Sequence, residues 1–194
     1  MTSRAEPKHP LSEGVSGIWT FVFIDMIVFF LMFLVYVSER ARLHTLFIAS
    51  QQQLHPLIGL LSTVFLLASS WSMAEAVAAA RKGLRHATQS YLLISLLLAF
   101  GFVINKLVEY HDKFDHGITP TTNGFFTFYF VITGLHFAHV LAGMLFIGQA
   151  YVSIGRIGDV QSAHRHIENI GTFWHFVDIL WLFIFPMLYL AGIR

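Results

Sequence analysis

The side chains in this 194-residue sequence that can hold a metal, a haem or a proton are its 11 histidines and 11 acids, because it has no cysteine. That absence excludes a disulfide framework, an iron–sulfur cluster, thiolate-ligated copper or haem, and C-x-x-C-H haem attachment. His136 and His139 stand three residues apart, and His175 and Asp178 repeat the spacing, so on helices each pair shares one face. Two such faces turned together would hold a metal or offer axial ligands to a haem. A di-iron bundle needs Glu-x-x-His on two helices, and no apolar stretch of this chain contains that pattern. Dense histidine clusters are also missing, with His164 and His166 only a loose loop pair. Hydrogen bonding between helices is the simpler use of these side chains, with ligation as the alternative.

An ionised group at membrane depth costs several kcal/mol unless it is paired, so each one is a functional candidate. Asp25 shares a stripe with Phe21, Phe29 and Met32 in the first apolar stretch. It reads either as a proton-handling or partner-contacting acid, or as a neutral or hydrogen-bonded carboxyl inside a bundle. Lys106 and Glu109 fall near the end of the third stretch, and Asp178 falls within the fifth. Glu75 is near enough to Arg81, Lys82 and Arg85 to pair with them or to reach water. Trp174 and Trp181 flank Asp178 on nearly one face, a grouping that suits helix packing or a contact surface. Ala68, Ser72, Ala76 and Ala80 recur every fourth residue, a stripe that lets another helix approach closely.

Carrying these groups takes long apolar elements. Charged residues make up 12% of the chain, against about 25% in an ordinary soluble domain. Apolar residues make up 56%, and the mean hydropathy is +0.65. A net charge of +1 supplies no basic field for nucleic acid. Five stretches reach the roughly 20 apolar residues that a membrane helix needs: about 16–38, 56–79, 88–110, 123–152 and 169–192. The expected fold is all-α, a polytopic five-helix membrane bundle forming a single domain over residues 1–194. The first stretch is long, follows a polar leader with Glu6 and Glu13, and is expected to stay as an anchor. Pro56 suits a first turn, Gly83 a helix stop and Thr119–Gly124 a turn, while Pro186 should kink the fifth helix or be satisfied by neighbours. Arg4, Lys8, Arg81, Lys82, Arg85, Arg156 and Arg165 fall on one side, against Arg40, Arg42, Lys113 and Arg194 on the other. Seven against four places the N-terminus inside and the C-terminus outside.

In this order the motifs resemble subunit III of the haem–copper oxidases over nearly the whole chain. Gly17-Ile18-Trp19-Thr20-Phe21 followed by Asp25 is similar to a family helix with an acid, usually Glu, inside the membrane. Thr63-Val64-Phe65-Leu66-Leu67-Ala68-Ser69-Ser70 is similar to the family's T-x-x-L-L-x-S-S, and Glu109-Tyr110 to its E-Y pair. Phe125-Phe126, then Thr133-Gly134-Leu135-His136-Phe137-Ala138-His139-Val140 and Gly143, resemble F-F…T-G-x-H-x-x-H-V-x-x-G. Trp174-His175-Phe176-Val177-Asp178 through Trp181-Leu182-Phe183 resembles W-H-F-V-D-x-x-W-L-F. Full-length members have seven helices, and this chain corresponds to the last five. The short forms include quinol-oxidase subunits and proteins encoded with nitric oxide reductases. Glu109-Tyr110-His111-Asp112-Lys113, Gly117…Thr122-Asn123-Gly124 and Phe185-Pro186-Met187-Leu188-Tyr189-Leu190 look more like the nitric-oxide-reductase branch.

The resemblance implies a subunit without its own redox cofactor, in the bacterial inner membrane, packed on a large haem-bearing catalytic subunit and bound to phospholipid. In proton-pumping members it also implies support of proton uptake. Family-motif polar residues are then Asp25, Glu109, His136, His139, Trp174, His175 and Asp178, with no catalytic, cofactor or metal residue among them. Two other functions compete: a small b-haem oxidoreductase using His136 or His139 with His175, and a proton or solute transporter using Asp25, Glu109 and Asp178. The lack of an inverted repeat counts against the transporter.

Overall fold

A computed structural model describes the backbone of residues 12–154 and 160–191 and the side chains of residues 19–154 and 164–191. These residues form α1 (Ser12–Arg42), α2 (His44–Gln51), α3 (Pro56–Arg81), α4 (Arg85–Asp115), α5 (Gly124–Ser153) and α6 (Val160–Phe185), with a π-helical turn over Pro186–Leu190. No strand occurs among the described residues. Five helices are long and apolar enough to cross a membrane, at 19–42, 56–81, 85–115, 124–153 and 164–190. Each runs past its apolar stretch because backbone hydrogen bonds continue where side chains turn polar. The short α2 is an addition to the expected elements. Arg4, Lys8, Arg156 and Arg194, which enter the orientation tally, lie outside the described residues, as does Glu6.

Local chemistry ends the helices where the sequence indicates. Gly83 has φ +70°, accepting the left-handed backbone that lets its N–H reach Ala80 O (3.0 Å) while Leu84 N reaches Ala79 O (3.0 Å). This paired closure satisfies carbonyls that α3 would otherwise leave bare. Gly117, with φ +73°, closes α4 in the same way, through Phe114 O and Lys113 O. Asn123 then caps α5, its side-chain oxygen accepting from Phe126 N at 3.0 Å. Pro56 occupies the first turn of α3.

The packing is inside-out relative to a soluble protein. Ser62, Thr63, Ser69, Ser72, Ser95, Thr133, His136, Lys106, Glu109 and Asp178 are buried, while Phe23, Phe30, Trp71, Leu97, Leu145 and Phe183 face outward. Lipid is as apolar as these outward side chains, so cohesion has to come from close fit and polar contacts between helices. The broad α3–α4 seam shows both. Ser69 Oγ donates to Ser95 O at 2.9 Å, Ser95 Oγ returns to Ser69 O at 3.2 Å, and Ser72 Oγ donates to Tyr91 O at 2.9 Å. Ser72, Ala76 and Ala80 of the small-residue stripe are buried at helix contacts. Arg81 binds Glu168 and donates to His164, joining the ends of α3 and α6, so it is not spent on Glu75.

The last span is the centre of the bundle, with 61% of its most apolar window buried against 22% for the first. It meets α5 closely at Gly143, where an added Cβ would lie 2.6 Å from Trp174 Cε3 and 2.7 Å from Cζ3. Trp174 is fully buried and cannot retreat. Gly143→Ala is therefore expected to destabilise the bundle by about 1–3 kcal/mol through overpacking. Gly148→Ala, where an added Cβ meets nothing within 4 Å, should be neutral. Thermal melts of both variants in detergent check the difference.

Candidate functional site

The most heavily defended polar group lies near one end of α4. Lys106 is completely buried, and burying an ammonium in hydrocarbon is tolerable only if its donors are matched. All three are matched: Nζ donates to Glu109 Oε2 at 2.9 Å, to Tyr189 Oη at 2.8 Å and to Tyr129 Oη at 3.3 Å. Tyr189 Oη in turn donates to Glu109 Oε1 at 2.7 Å, so both oxygens of the buried carboxylate are held. The rings of Tyr129, Tyr110, Trp181 and Tyr189 surround the ammonium, with centroids 4.8, 5.0, 5.5 and 5.5 Å away. Tyr110 is itself held by Thr133 Oγ1 at 2.7 Å. Glu109, singled out as a motif acid, is thus the counter-ion of a lysine that sequence reasoning noted only as a charge near a helix end.

Tyr189 reaches this cluster because Pro186 ends the α-helical pattern of α6. Proline supplies no N–H, and the chain continues as a π turn closed by Ala191 N to Pro186 O at 3.1 Å. The carbonyls that the turn exposes are taken up by distant side chains. Gln51 Nε2 donates to Met187 O (3.0 Å) and Leu188 O (3.3 Å), Tyr36 Oη to Met187 O (3.1 Å), and an Arg40 guanidinium N–H to Ala191 O (2.7 Å). The turn is therefore tied to α1 and α2 on one side and, through Tyr189, to α4 on the other. Of the two outcomes expected at Pro186, the structure shows satisfaction by neighbours, around a π turn.

The remaining motif residues occupy three separate places. Asp25 of α1 faces His139 of α5, Oδ2 to Nε2 3.2 Å, with side-chain exposures of 12% and 13%. His139 Nδ1–H donates to Leu135 O at 2.8 Å, and Asp25 Oδ2 lies close to the ring without an aligned hydrogen bond. His136 turns away from this pair into the core, its ring 5.1 Å from that of Trp181 and 5.8 Å from that of Phe102. His175 points to α3 and contacts Ser70 Oγ through Nδ1 at 2.7 Å. Asp178 is buried beside Ser70, its oxygens without an aligned hydrogen bond. Trp174 and Trp181 are buried in the core and form no outer contact surface. Trp181 Nε1 donates to Thr63 Oγ1 at 3.0 Å. Among the described residues no three of His, Asp and Glu converge closely enough to hold a metal ion.

The lysine cluster predicts an asymmetry between single and double variants. Lys106→Met strands a buried carboxylate and is expected to cost about 3–5 kcal/mol. Lys106→Met combined with Glu109→Gln leaves no net charge and keeps an acceptor for Tyr189, so it should recover most of that loss. Yield and melting temperature of the three proteins in one detergent check this; a double variant less stable than Lys106→Met contradicts it.

Comparison with known proteins extends the likeness along the whole fold. The family described as cytochrome c oxidase subunit III matches residues 9–193. The cytochrome bo(3) ubiquinol oxidase subunit 3 of Pseudomonas putida is 28% identical, covering 92% of this chain and 86% of its own length. That of Buchnera aphidicola (subsp. Acyrthosiphon pisum, strain APS) is 27% identical, covering 98% and 92%. The quinol oxidase subunit 3 of Bacillus subtilis is 27% identical, covering 93% and 88%. With the five apolar helices, these bacterial relatives make the chain a multi-pass protein of the inner membrane. A match running from before the first apolar helix to the last residues of the π-turn end leaves one assignment: the chain belongs to the cytochrome c oxidase subunit III family.

Proposed function

We propose that this chain is the non-catalytic subunit III of a haem–copper-type respiratory complex, packing on and stabilising the large haem-bearing catalytic subunit. The observation that carries this reading is that the motif side chains turn into the bundle and leave an apolar outer face. Glu109 bonds Lys106 and Tyr189, His175 bonds Ser70, His139 bonds Leu135 and Trp181 bonds Thr63. Asp25 lies against His139, and His136, Trp174 and Asp178 are buried in the bundle without an aligned hydrogen bond. What remains for a neighbour is an apolar outer face, best developed on α1, where Trp19, Phe23, Met26, Ile27, Phe30, Leu34 and Val37 are exposed. We place the catalytic subunit and phospholipid against such faces, with the N-terminus inside. The Arg81, Lys82, Arg85 and Arg165 end supports that orientation against the end with Arg40, Arg42 and Lys113.

The quinol-oxidase names of the relatives favour an oxygen-reducing terminal oxidase as the complex. A second reading, a nitric oxide reductase partner, rests on the sequence likeness of the Glu109–Lys113, Gly117–Gly124 and Phe185–Leu190 segments alone. In the structure Lys113 Nζ ties the end of α4 to Gln53 O at 2.9 Å and to Asp112 Oδ2 at 2.9 Å, contacts internal to the chain. A b-haem oxidoreductase is less well supported, because His139 and His175 turn to different neighbours, α1 and α3.

Affinity purification of the tagged chain from native membranes tests this. The expected result is co-purification of a larger haem-bearing subunit whose reduced spectrum identifies the complex, with oxygen or nitric oxide consumption deciding between the readings. The chain separated from that partner should show no Soret band. A preparation without any haem-bearing partner, or an isolated chain whose Soret band disappears on His175→Ala, overturns the proposal.

A further inference from the structure

A cavity of about 560 Å³ opens between α1, α5 and α6, apart from the lysine cluster and from the Ser70–His175 contact. It begins at His139, near the middle of α5, and runs to Gln149 near that helix's end, roughly 15 Å at 1.5 Å per residue. Its volume falls in the range that encloses one drug-sized molecule. Phe21, Phe146 and Phe173 form its walls, with Phe146 and Phe173 edge to face at 5.6 Å and Phe21 and Phe173 at 6.1 Å. Ala138 and Ala142 keep the α5 side low.

The mouth, where α5 ends and α6 begins, carries Gln149, His166 and Asn169. Two side-chain amides and an imidazole offer both donors and acceptors, and among the described residues no hydrogen bond or ion pair engages them. Among the described residues no lysine, arginine, aspartate or glutamate lines the cavity. A phosphate headgroup is normally met by basic side chains, and the described lining gives it none. Aromatic walls favour a flat ring, which packs against them face-on or edge-on. A neutral ring bearing oxygen acceptors or hydroxyls, on an apolar chain, fits both halves of the cavity at once.

We propose that this cavity binds an isoprenoid quinone or quinol. The ring packs against the wall that Phe146 and Phe173 form together, with its oxygens on Gln149, His166 and Asn169, and the chain passes Phe21 toward the lipid. The claim is for binding alone and includes no electron transfer. It goes beyond the accessory-subunit reading and does not depend on it, since every lining residue belongs to this chain.

The test uses the full chain in phosphatidylcholine nanodiscs. An azido-ubiquinone photolabel is competed with ubiquinone-1, and labelled peptides are mapped. Saturable labelling of the 138–149 and 166–173 segments is expected, abolished by Ala142→Trp, which fills the space. Gln149→Leu combined with Asn169→Leu, at the cavity's edge where folding is not at stake, should weaken ubiquinone-1 competition about tenfold or more. That pair decides the matter if Ala142→Trp does not fold. Labelling that neither variant changes, or that never saturates, overturns the proposal. So does a phospholipid retained in native mass spectra of the wild type, lost in the variants and undisplaced by ubiquinone-1.

Discussion

An ammonium group removed from water and surrounded by hydrocarbon must find every one of its hydrogen-bond acceptors within the protein, and the region where α4, α5 and the π turn meet is organised around that requirement. Lys106 and Glu109 come from α4, Tyr129 from α5 and Tyr189 from the π turn. A shift of any one element along its axis would break a contact whose loss is costly in lipid. The cluster therefore acts as a register pin for three spans. The four rings around it do double service, filling volume like any core aromatic while presenting electron-rich faces to the cation.

Elsewhere cohesion rests on smaller groups. Serine hydroxyls reach across the α3–α4 seam to backbone carbonyls, and the bare backbone at Gly143 lets α5 close onto Trp174. Neither device needs a hydrophobic driving force, which lipid does not provide between helices. The first helix shares little of this. Its outer side chains are apolar nearly all round, and what fixes it is polar contact at two levels, Asp25 with His139 and Tyr36 with Arg40 at the π turn.

How far the sequence could be read follows from the range of each interaction. The five spans were legible because a membrane helix satisfies its own backbone and announces itself by length alone. Gly83 and the Thr119–Gly124 turn were legible because caps are local. The eight-residue α2 was not, since it is held by contacts such as Gln51 with Met187, 136 residues away. His136 and His139 were expected to share one face of α5, but the structure turns them to different neighbours. A spacing of three leaves them about 60° apart around the axis, enough for one to meet Trp181 and the other Asp25. Lys106 and Glu109 did carry a signal, opposite charges one turn apart inside an apolar span. Their tyrosines did not, because a tyrosine near a membrane boundary ordinarily suggests only the headgroup region.

The ties at the π turn also bear on how the chain is made. Ribosomes deliver α1 and α2 well before α6, yet Tyr36, Arg40 and Gln51 find acceptors on residues 187–191. Until that turn has been made, these three side chains face a lipid or translocon environment without those partners. The polar ties between the first two helices and the π turn are accordingly late contacts, formed only after every intervening span has been delivered.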